Sequence, residues 1–189
     1  MASTISAGTT SGTALNFAGD TSGNLAFQTQ AGANTITVPN VTGTLLTDKT
    51  AGTVLQVVSA TYATQTSTSS TSYVSTSLTA SITPKFSTSK ILVTVSTTTI
   101  STGLPNNDVY LTIYRNGSTN LGGGSQSALS GQEAGSAATL WTAANINYLD
   151  SPATASSTSY TLYFKVNGGT GYVFWGPTLS TITLMEIAA

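Results

Sequence analysis

The 189-residue sequence contains no cysteine and no histidine. Without cysteine, the chain can form no disulfide and can use no thiolate as a nucleophile or metal ligand. Without histidine, it lacks the commonest metal ligand and the usual general base near neutral pH. We therefore expect no metal site and no cofactor.

Charged residues are also scarce. Five basic and six acidic side chains make up 6% of the chain, where about 25% is usual. The basic residues are scattered, which excludes nucleic acid as an expected partner because phosphate binding needs clustered lysine or arginine. The acids are also separated in sequence, whereas glycoside hydrolysis needs a pair of carboxylates. We predict that the protein is not an enzyme, with a small depolymerase as the enzymatic alternative.

Long hydrophobic runs are missing as well. The longest uncharged segments are rich in threonine, serine and glycine, so none is typical of a membrane span. The first residues do not combine a basic stretch with an apolar one, as a secretory signal does. We expect no signal peptide and no membrane insertion.

The residues that are abundant favour β-structure. Hydrophobic residues make up 39% of the chain, and threonine, valine, isoleucine and tyrosine fit a pleated surface. Residues 53–189 contain about eight alternating segments separated by turn-forming clusters, without a helical period. They predict an all-β, jelly-roll-like antiparallel β-sandwich, with an immunoglobulin-like sandwich as the alternative. The alternation predicts these inward-facing residues: Ile91, Val93, Val95, Val109, Leu111, Ile113, Ala144, Ile146, Tyr148, Tyr160, Leu162, Phe164 and Val166.

Residues 1–47 have a different pattern of short repeats. Apolar pairs at i and i+2 recur roughly every ten or eleven residues, with glycine-rich turns between them. So few large side chains per repeat cannot stabilise an isolated ribbon. We predict a repetitive β arm for docking or trimerisation, with a structureless leader as the alternative and residues 48–52 as a linker. The candidate docking residues are Leu15, Phe17, Leu25, Phe27, Ile36 and Val38.

An aromatic segment near the C-terminus provides candidate contact residues. The stretch GGTGYVFWGP spans residues 168–177. In a strand, neighbouring residues point to opposite faces, so one of the two adjacent rings Phe174 and Trp175 should leave the core. Such a ring is expected either to be covered by another subunit or to stack on a sugar. The candidate interface or ligand-contact residues are Trp141, Tyr172, Phe174 and Trp175.

One acidic residue stands apart from the others. Glu186 lies in an otherwise apolar terminal run. We expect it to face solvent or to pair across an interface.

Several of these phrases also resemble a known group of proteins. The run SGTALNFAGDTSGNLAFQTQAGANTITVPNVTGTLL resembles repeats in fibre-like structural proteins of tailed bacteriophages, including cyanophages. The segments SITPKFSTSKILVTVS, YLDSPATASSTSYTLYF and STITLMEIAA resemble C-terminal head modules of the same group. The resemblance implies a virion surface protein that forms a homotrimer with a β-sandwich head. The resemblance does not identify any binding residues in this chain.

Two virion roles follow from this resemblance. The first is a fibre or knob, made in the bacterial cytoplasm, that attaches to a host-surface glycan through distal loops such as residues 104–108 and 117–138. The second is a capsid decoration or head-fibre protein whose N-terminal arm docks on the shell. Both predict another virion protein as partner, either a tail protein or the major capsid protein.

Overall fold

All regular structure in the described residues consists of β-strands. The computed structural model describes residues 25–28, 35–38, 50–102, 108–132, 139–176 and 178–189. Contacts between Cα atoms divide the chain into two compact units, Met1–Leu46 and Thr47–Ala189. No described segment forms a helix, which confirms the all-β prediction for these ranges.

The described part of the first unit is a strand pair. Strand β1 (Leu25–Gln28) runs antiparallel to β2 (Thr35–Val38), with Leu25 opposite Val38 and Phe27 opposite Ile36. Four of the predicted docking residues therefore lie directly opposite one another in the β1–β2 register. The other two candidates, Leu15 and Phe17, lie outside the described residues, and the docking role of all six stays a prediction.

The described part of the second unit contains strands of two to thirteen residues. They are β3 (Val54–Tyr62), β4 (Thr66–Thr68), β5 (Val74–Ile82), β6 (Lys90–Thr102), β7 (Val109–Arg115), β8 (Thr119–Asn120), β9 (Ser130–Gln132), β10 (Thr139–Asp150), β11 (Thr158–Val166), β12 (Thr170–Val173) and β13 (Ser180–Ile187).

These strands form two antiparallel sheets. In the six-stranded sheet, β12 and β13 pair one after the other with one edge of β6, and β10 pairs with the opposite edge. Strand β3 lies beyond β13, and β4 lies beyond β12. The five-stranded sheet has the order β5-β11-β7-β8, and β9 also pairs with β7. Successive long strands alternate between the two sheets. The two antiparallel sheets confirm the predicted β-sandwich, and the jelly-roll-like arrangement stays a prediction.

The core follows the period of two. Buried and more accessible residues alternate along β5, β11 and β13, because successive side chains of a strand point to opposite faces. All the predicted inward residues are buried except Tyr148, which is half-buried. The same alternation accounts for part of the high threonine content, since threonine occupies many outward positions of strands whose inward residues are apolar.

Glu186 corrects one expectation from the sequence. It lies on the inward face of β13 and is 0% exposed. Its carboxylate accepts hydrogen bonds from Gln56 Nε2 at 2.5 Å and from the backbone N–H of Lys85 at 2.7 Å. The expected solvent or interface position is therefore wrong, since Glu186 ties the β5–β6 connection to β13 and β3 within one subunit.

The described residues contain no helix that could span a membrane.

Candidate functional site

An irregular segment interrupts the strand that runs along one edge of β6. Val173 at the end of β12 pairs with Thr99, and Thr181 near the start of β13 pairs with Ser96. The chain between Val173 and Thr181 is longer than the stretch of β6 that it faces, so it bulges out of the sheet. We call residues 174–176 and 178–179 the β12–β13 bulge.

Thr98 of β6 anchors this bulge. Its carbonyl oxygen accepts a hydrogen bond from Phe174 N at 3.2 Å, and its Oγ1 accepts one from Trp175 N at 3.2 Å. Thr178 Oγ1 donates to the Trp175 carbonyl at 2.7 Å and lies 3.2 Å from Thr98 Oγ1. One threonine side chain and its own backbone therefore fix the direction in which the bulge leaves the sheet.

Phe174 turns back into the sandwich. Its φ of +60° lies in the left-handed region, which costs a bulky residue on the order of 1–3 kcal/mol. Its ring is 0% exposed and meets Tyr62 edge-on at 5.2 Å. Burial of the ring offsets the backbone strain. Phe174 is therefore a core residue, and its predicted role as a contact residue does not fit this position.

Trp175 leaves the core on the opposite side. Its ring centroid lies 5.8 Å from that of Trp141 and 5.0 Å from that of Tyr172, with interplanar angles of 60° and 79°. Trp141 is 64% exposed. Three of the four predicted contact residues therefore form one aromatic cluster at the surface.

The strand register explains why these rings meet. Tyr172 of β12 and Trp141 of β10 both pair with Ile100 of β6, from its opposite edges. Directly paired residues on neighbouring strands share a face of the sheet. The bulge then places Trp175 between the two rings, so residues that are distant in sequence become neighbours.

A cleft of about 250 Å³ opens beside the two tryptophans. We call it the tryptophan cleft, and it is lined by Thr98, Thr99, Trp141, Thr142, Ala143, Trp175 and Thr178. Its lining combines flat apolar ring faces with threonine hydroxyls and includes no charged side chain. Such a surface suits a ligand that presents both apolar faces and hydroxyl groups, as a neutral sugar ring does.

A second depression of about 200 Å³ adjoins the tryptophan cleft, and both are lined by Thr99, Trp141, Thr142 and Ala143. It lies where β9 of one sheet approaches β10 of the other. Gln132 Nε2 donates to the Leu140 carbonyl at 2.8 Å across this edge. The tryptophan cleft therefore continues toward the open edge of the sandwich.

Each of the three carboxylates in the described residues has a structural partner. Asp150 accepts hydrogen bonds from Arg115 and Tyr160, and Asp108 accepts them from Tyr110 and Asn167. Glu186 accepts hydrogen bonds from Gln56 and from the backbone N–H of Lys85. Among the described residues, no group of three or more potential metal-ligating side chains comes together.

Sequence reasoning missed the residues that shape the cleft. Thr98 and Thr178 carry no signal because threonine is abundant throughout the chain. Of the expected ligand loops, residues 104–107 and 133–138 lie outside the described residues. Residues 117–132 include β8 and β9, which belong to the five-stranded sheet, whereas the tryptophan cleft lies on the six-stranded sheet.

The chain matches no protein-family model, and no curated protein is significantly similar to it.

Proposed function

We propose that this chain is a structural protein of a bacteriophage virion, exposed on the particle as a homotrimer. Its β-sandwich attaches the particle to a neutral saccharide of the host surface through the tryptophan cleft. The tryptophan cluster is the observation that carries this proposal. The chain contains two tryptophans, and both line the same cleft on the outside of the sandwich.

The position of the rings supports binding rather than folding. Phe174 fills the core beneath the bulge, so the sandwich does not need Trp175 or Trp141 for its interior. Trp141 is 64% exposed, although large aromatic side chains contribute most when they are covered. An apolar ring face held open beside hydroxyl groups is the arrangement that a sugar ring complements.

The charge of the cleft supports a neutral ligand. No lysine, arginine, aspartate or glutamate lines it. A charged saccharide would leave its charge there without a partner, and an unpaired charge near an apolar surface is costly. A neutral saccharide would instead exchange its hydroxyl hydrogen bonds with water for bonds to residues such as Thr98 and Thr178.

The proposed homotrimer would suit attachment through a weak site. A shallow cleft of about 250 Å³ lies below the usual range for small-molecule sites, which is roughly 300–1,000 Å³. Each single contact is then weak. Three copies on one particle raise the overall avidity because the second and third contacts become intramolecular.

Tryptophan fluorescence provides the direct test. Since both tryptophans lie in the cleft, neutral hexose and N-acetylhexosamine oligosaccharides should change the emission of the intact protein when they bind. Trp141→Ala and Trp175→Ala should each lower the affinity at least about tenfold, measured by calorimetry, as for an aromatic hot spot. Leu149→Ala is the matched control because Leu149 lies on β10 and is 49% exposed. Equal affinities of all three variants would refute the role of the cleft.

A second candidate function is favoured by the division of the chain. Residues Met1–Leu46 form a unit of their own that includes the β1–β2 pair. A separate unit of this kind suits an arm that docks on a shell, with the sandwich as a projecting capsid decoration. Deleting residues 1–46 should then abolish incorporation into particles while leaving the sandwich folded. Incorporation of the truncated protein at the normal level would refute this role.

A further inference from the structure

A second group of aromatic residues lies on the outer face of the five-stranded sheet, away from the tryptophan cleft. Tyr110 and Tyr114 belong to β7, while Tyr163 and Lys165 belong to β11. Tyr73 immediately precedes β5. Lys165 pairs directly with Tyr110 in the sheet register, so these side chains share the outward face.

The rings hold one another in place. Tyr114 stacks on Tyr163 with centroids 4.1 Å apart and an interplanar angle of 27°. Tyr73 meets Tyr114 edge-on at 6.2 Å. Offset stacking and edge-to-face contact are the favoured arrangements of aromatic pairs. The cluster is therefore a fixed platform rather than a set of independent surface side chains.

A small hairpin forms a wall beside this platform. After β8 the chain turns back on itself, with a bridge between Gly123 and Ala128. Tyr73 donates its hydroxyl hydrogen to the Gln126 carbonyl at 3.0 Å, and Asn120 Nδ2 donates to the Ser127 carbonyl at 3.0 Å. These bonds fasten the hairpin to the sheet beneath it.

The platform and the hairpin border an open depression of about 320 Å³. We call it the tyrosine pocket, and it is lined by Tyr73, Tyr114, Lys165 and a set of uncharged polar residues. That set is Thr71, Ser72, Asn120, Ser125, Gln126 and Ser127. The volume falls within the range of small-molecule sites, roughly 300–1,000 Å³.

Lys165 gives this pocket a single positive charge. Its Nζ lies 5.0 Å from the centroid of the Tyr73 ring and 5.6 Å from that of Tyr110. Contact with two ring faces holds the ammonium group in place. In the described part of the chain, the ion pair joins Arg115 to Asp150, and no carboxylate of that part forms an ion pair with Lys165.

Tyr73 contributes a neutral hydroxyl to the same pocket. Burial, together with the neighbouring Tyr114 and Tyr110, raises the pKa of Tyr73 to about 12 from its ordinary value of 10.0. Tyr73 therefore remains protonated near neutral pH and adds no negative charge beside Lys165. The lining thus combines one cation with neutral hydroxyl and amide groups.

We propose that the tyrosine pocket binds an acidic saccharide, with the sugar carboxylate at Lys165 and the sugar hydroxyls at the surrounding polar side chains. One ammonium group matches the single negative charge of a sugar acid, whereas a phosphate monoester carries a charge of about −1.5 to −2 at pH 7. The exposed part of the Tyr114 ring supplies an apolar surface for the sugar ring. The pocket shares no lining residue with the tryptophan cleft.

The test compares acidic saccharides with their neutral methyl esters. Calorimetry on the intact protein would use oligosaccharides of galacturonate, glucuronate and N-acetylneuraminate, with a sulfated hexose oligosaccharide as the other anionic arm. At least one carboxylated saccharide should bind, and its methyl ester should bind at least about tenfold more weakly, because a charge-assisted hydrogen bond is lost. Equal binding of acid and ester, binding of the sulfated form alone, or no acidic binding would overturn the proposal.

Matched lysine variants localise the site. Lys165→Gln should weaken binding of the acid at least about tenfold. Lys90→Gln removes the same charge from an exposed residue at the start of β6 and should leave binding unchanged. Equal effects of the two variants would overturn the assignment. In the unaltered protein, the ring resonances of Tyr73 and Tyr114 should shift during the titration, and constant shifts would also overturn it.

A third variant separates this proposal from the proposed function. Trp141→Ala should retain the affinity for the acidic saccharide while it weakens binding of neutral saccharides. Failure of neutral binding therefore does not affect the tyrosine pocket. Loss of acidic binding in Trp141→Ala would contradict two independent sites.

Discussion

Arg115 Nη1 donates to both carboxylate oxygens of Asp150, at 2.9 and 2.8 Å. Arg115 belongs to the five-stranded sheet and Asp150 to the six-stranded sheet. Tyr160 of β11 donates its hydroxyl hydrogen to the same carboxylate at 2.7 Å. Burial and this hydrogen bond raise the pKa of Tyr160. The three side chains therefore connect the two sheets through one carboxylate that is 5% exposed.

Removal of this carboxylate should destabilise the sandwich. Asp150→Ala leaves Arg115 and the buried Tyr160 hydroxyl without their partner, and breaking such a pair costs about 3–5 kcal/mol. Asn145→Ala is the control because Asn145 is exposed on the same strand. Urea unfolding followed by circular dichroism measures both variants. Similar unfolding free energies for Asp150→Ala and Asn145→Ala would contradict the connecting role.

Glu186 should make stability depend on pH. Burial alone would raise its pKa, but hydrogen bonds from Gln56 and from the backbone N–H groups of Lys85 and Phe86 outweigh burial and lower it from 4.5. Because the folded-state pKa is below the unfolded value, the stabilisation is present above about pH 4.5 and is lost as the pH falls through the folded-state pKa. Glu186→Gln should therefore be less stable than the unaltered protein at pH 7.

The difference between the two proteins should shrink on acidification. Urea unfolding at a series of pH values from 7 to about 3 measures it. A difference in unfolding free energy that stays constant or grows toward low pH would contradict a charged, hydrogen-bonded Glu186.

Gly122 should be required where the hairpin folds over the sheet. A Cβ at this position would lie 2.2 Å from the Ser127 carbonyl oxygen and 2.6 Å from Thr112 Oγ1. Gly122→Ala should therefore displace the hairpin and cost about 1–3 kcal/mol, with loss of binding in the tyrosine pocket. Gly123→Ala is the matched control, because nothing lies within 4 Å of its added Cβ. Equal stability of the two variants by thermal unfolding would show that the close approach is absent.

The adjacent rings of the bulge should contribute differently to stability. Phe174→Ala removes a ring that is 0% exposed, which typically costs about 3–5 kcal/mol. Trp175→Ala removes a half-buried ring of the surface cluster and should cost about 1 kcal/mol. Chemical unfolding of the two variants checks this order. A larger loss in Trp175→Ala would mean that the two rings have exchanged roles.

Residues 50–189 should fold without the first unit. The backbone of Gly52 donates to the Ala188 carbonyl at 2.8 Å, and Ala188 donates to Thr53 at 2.9 Å. These hydrogen bonds join the first described residues of the sandwich to the end of its last strand. The sandwich therefore forms its own terminal contacts without residues 1–46. The fragment should unfold cooperatively in urea. A random-coil circular dichroism spectrum would contradict the two-part organisation.

The regular strands could be predicted because one simple rule governs them. Period-two alternation places residues such as Ile113, Leu162 and Phe164 inward, and burial of apolar area then selects that face. The same rule predicted that one of Phe174 and Trp175 leaves the core. It could not identify which one, because the outcome depends on a left-handed backbone at Phe174 for which its residue type gives no signal.

The tryptophan cleft and the tyrosine pocket both depend on contacts between residues that are distant in sequence. Trp141 and Trp175 meet because β10 and β12 pair with the same part of β6. Lys165 meets Tyr73 because β11 lies beside β5. Alternation predicts the face of each residue but not the order of the strands, so the sequence could not predict the tyrosine pocket at all.

Immunogold labelling of intact virions tests the central claim most directly. With antibodies against the β-sandwich, we expect label on the outer surface of untreated particles. Label at the tail tip with few copies per particle would favour attachment, and label over the whole head would favour capsid decoration. Intact particles without label, together with absence of the chain from the proteins of purified particles, would contradict a virion surface protein.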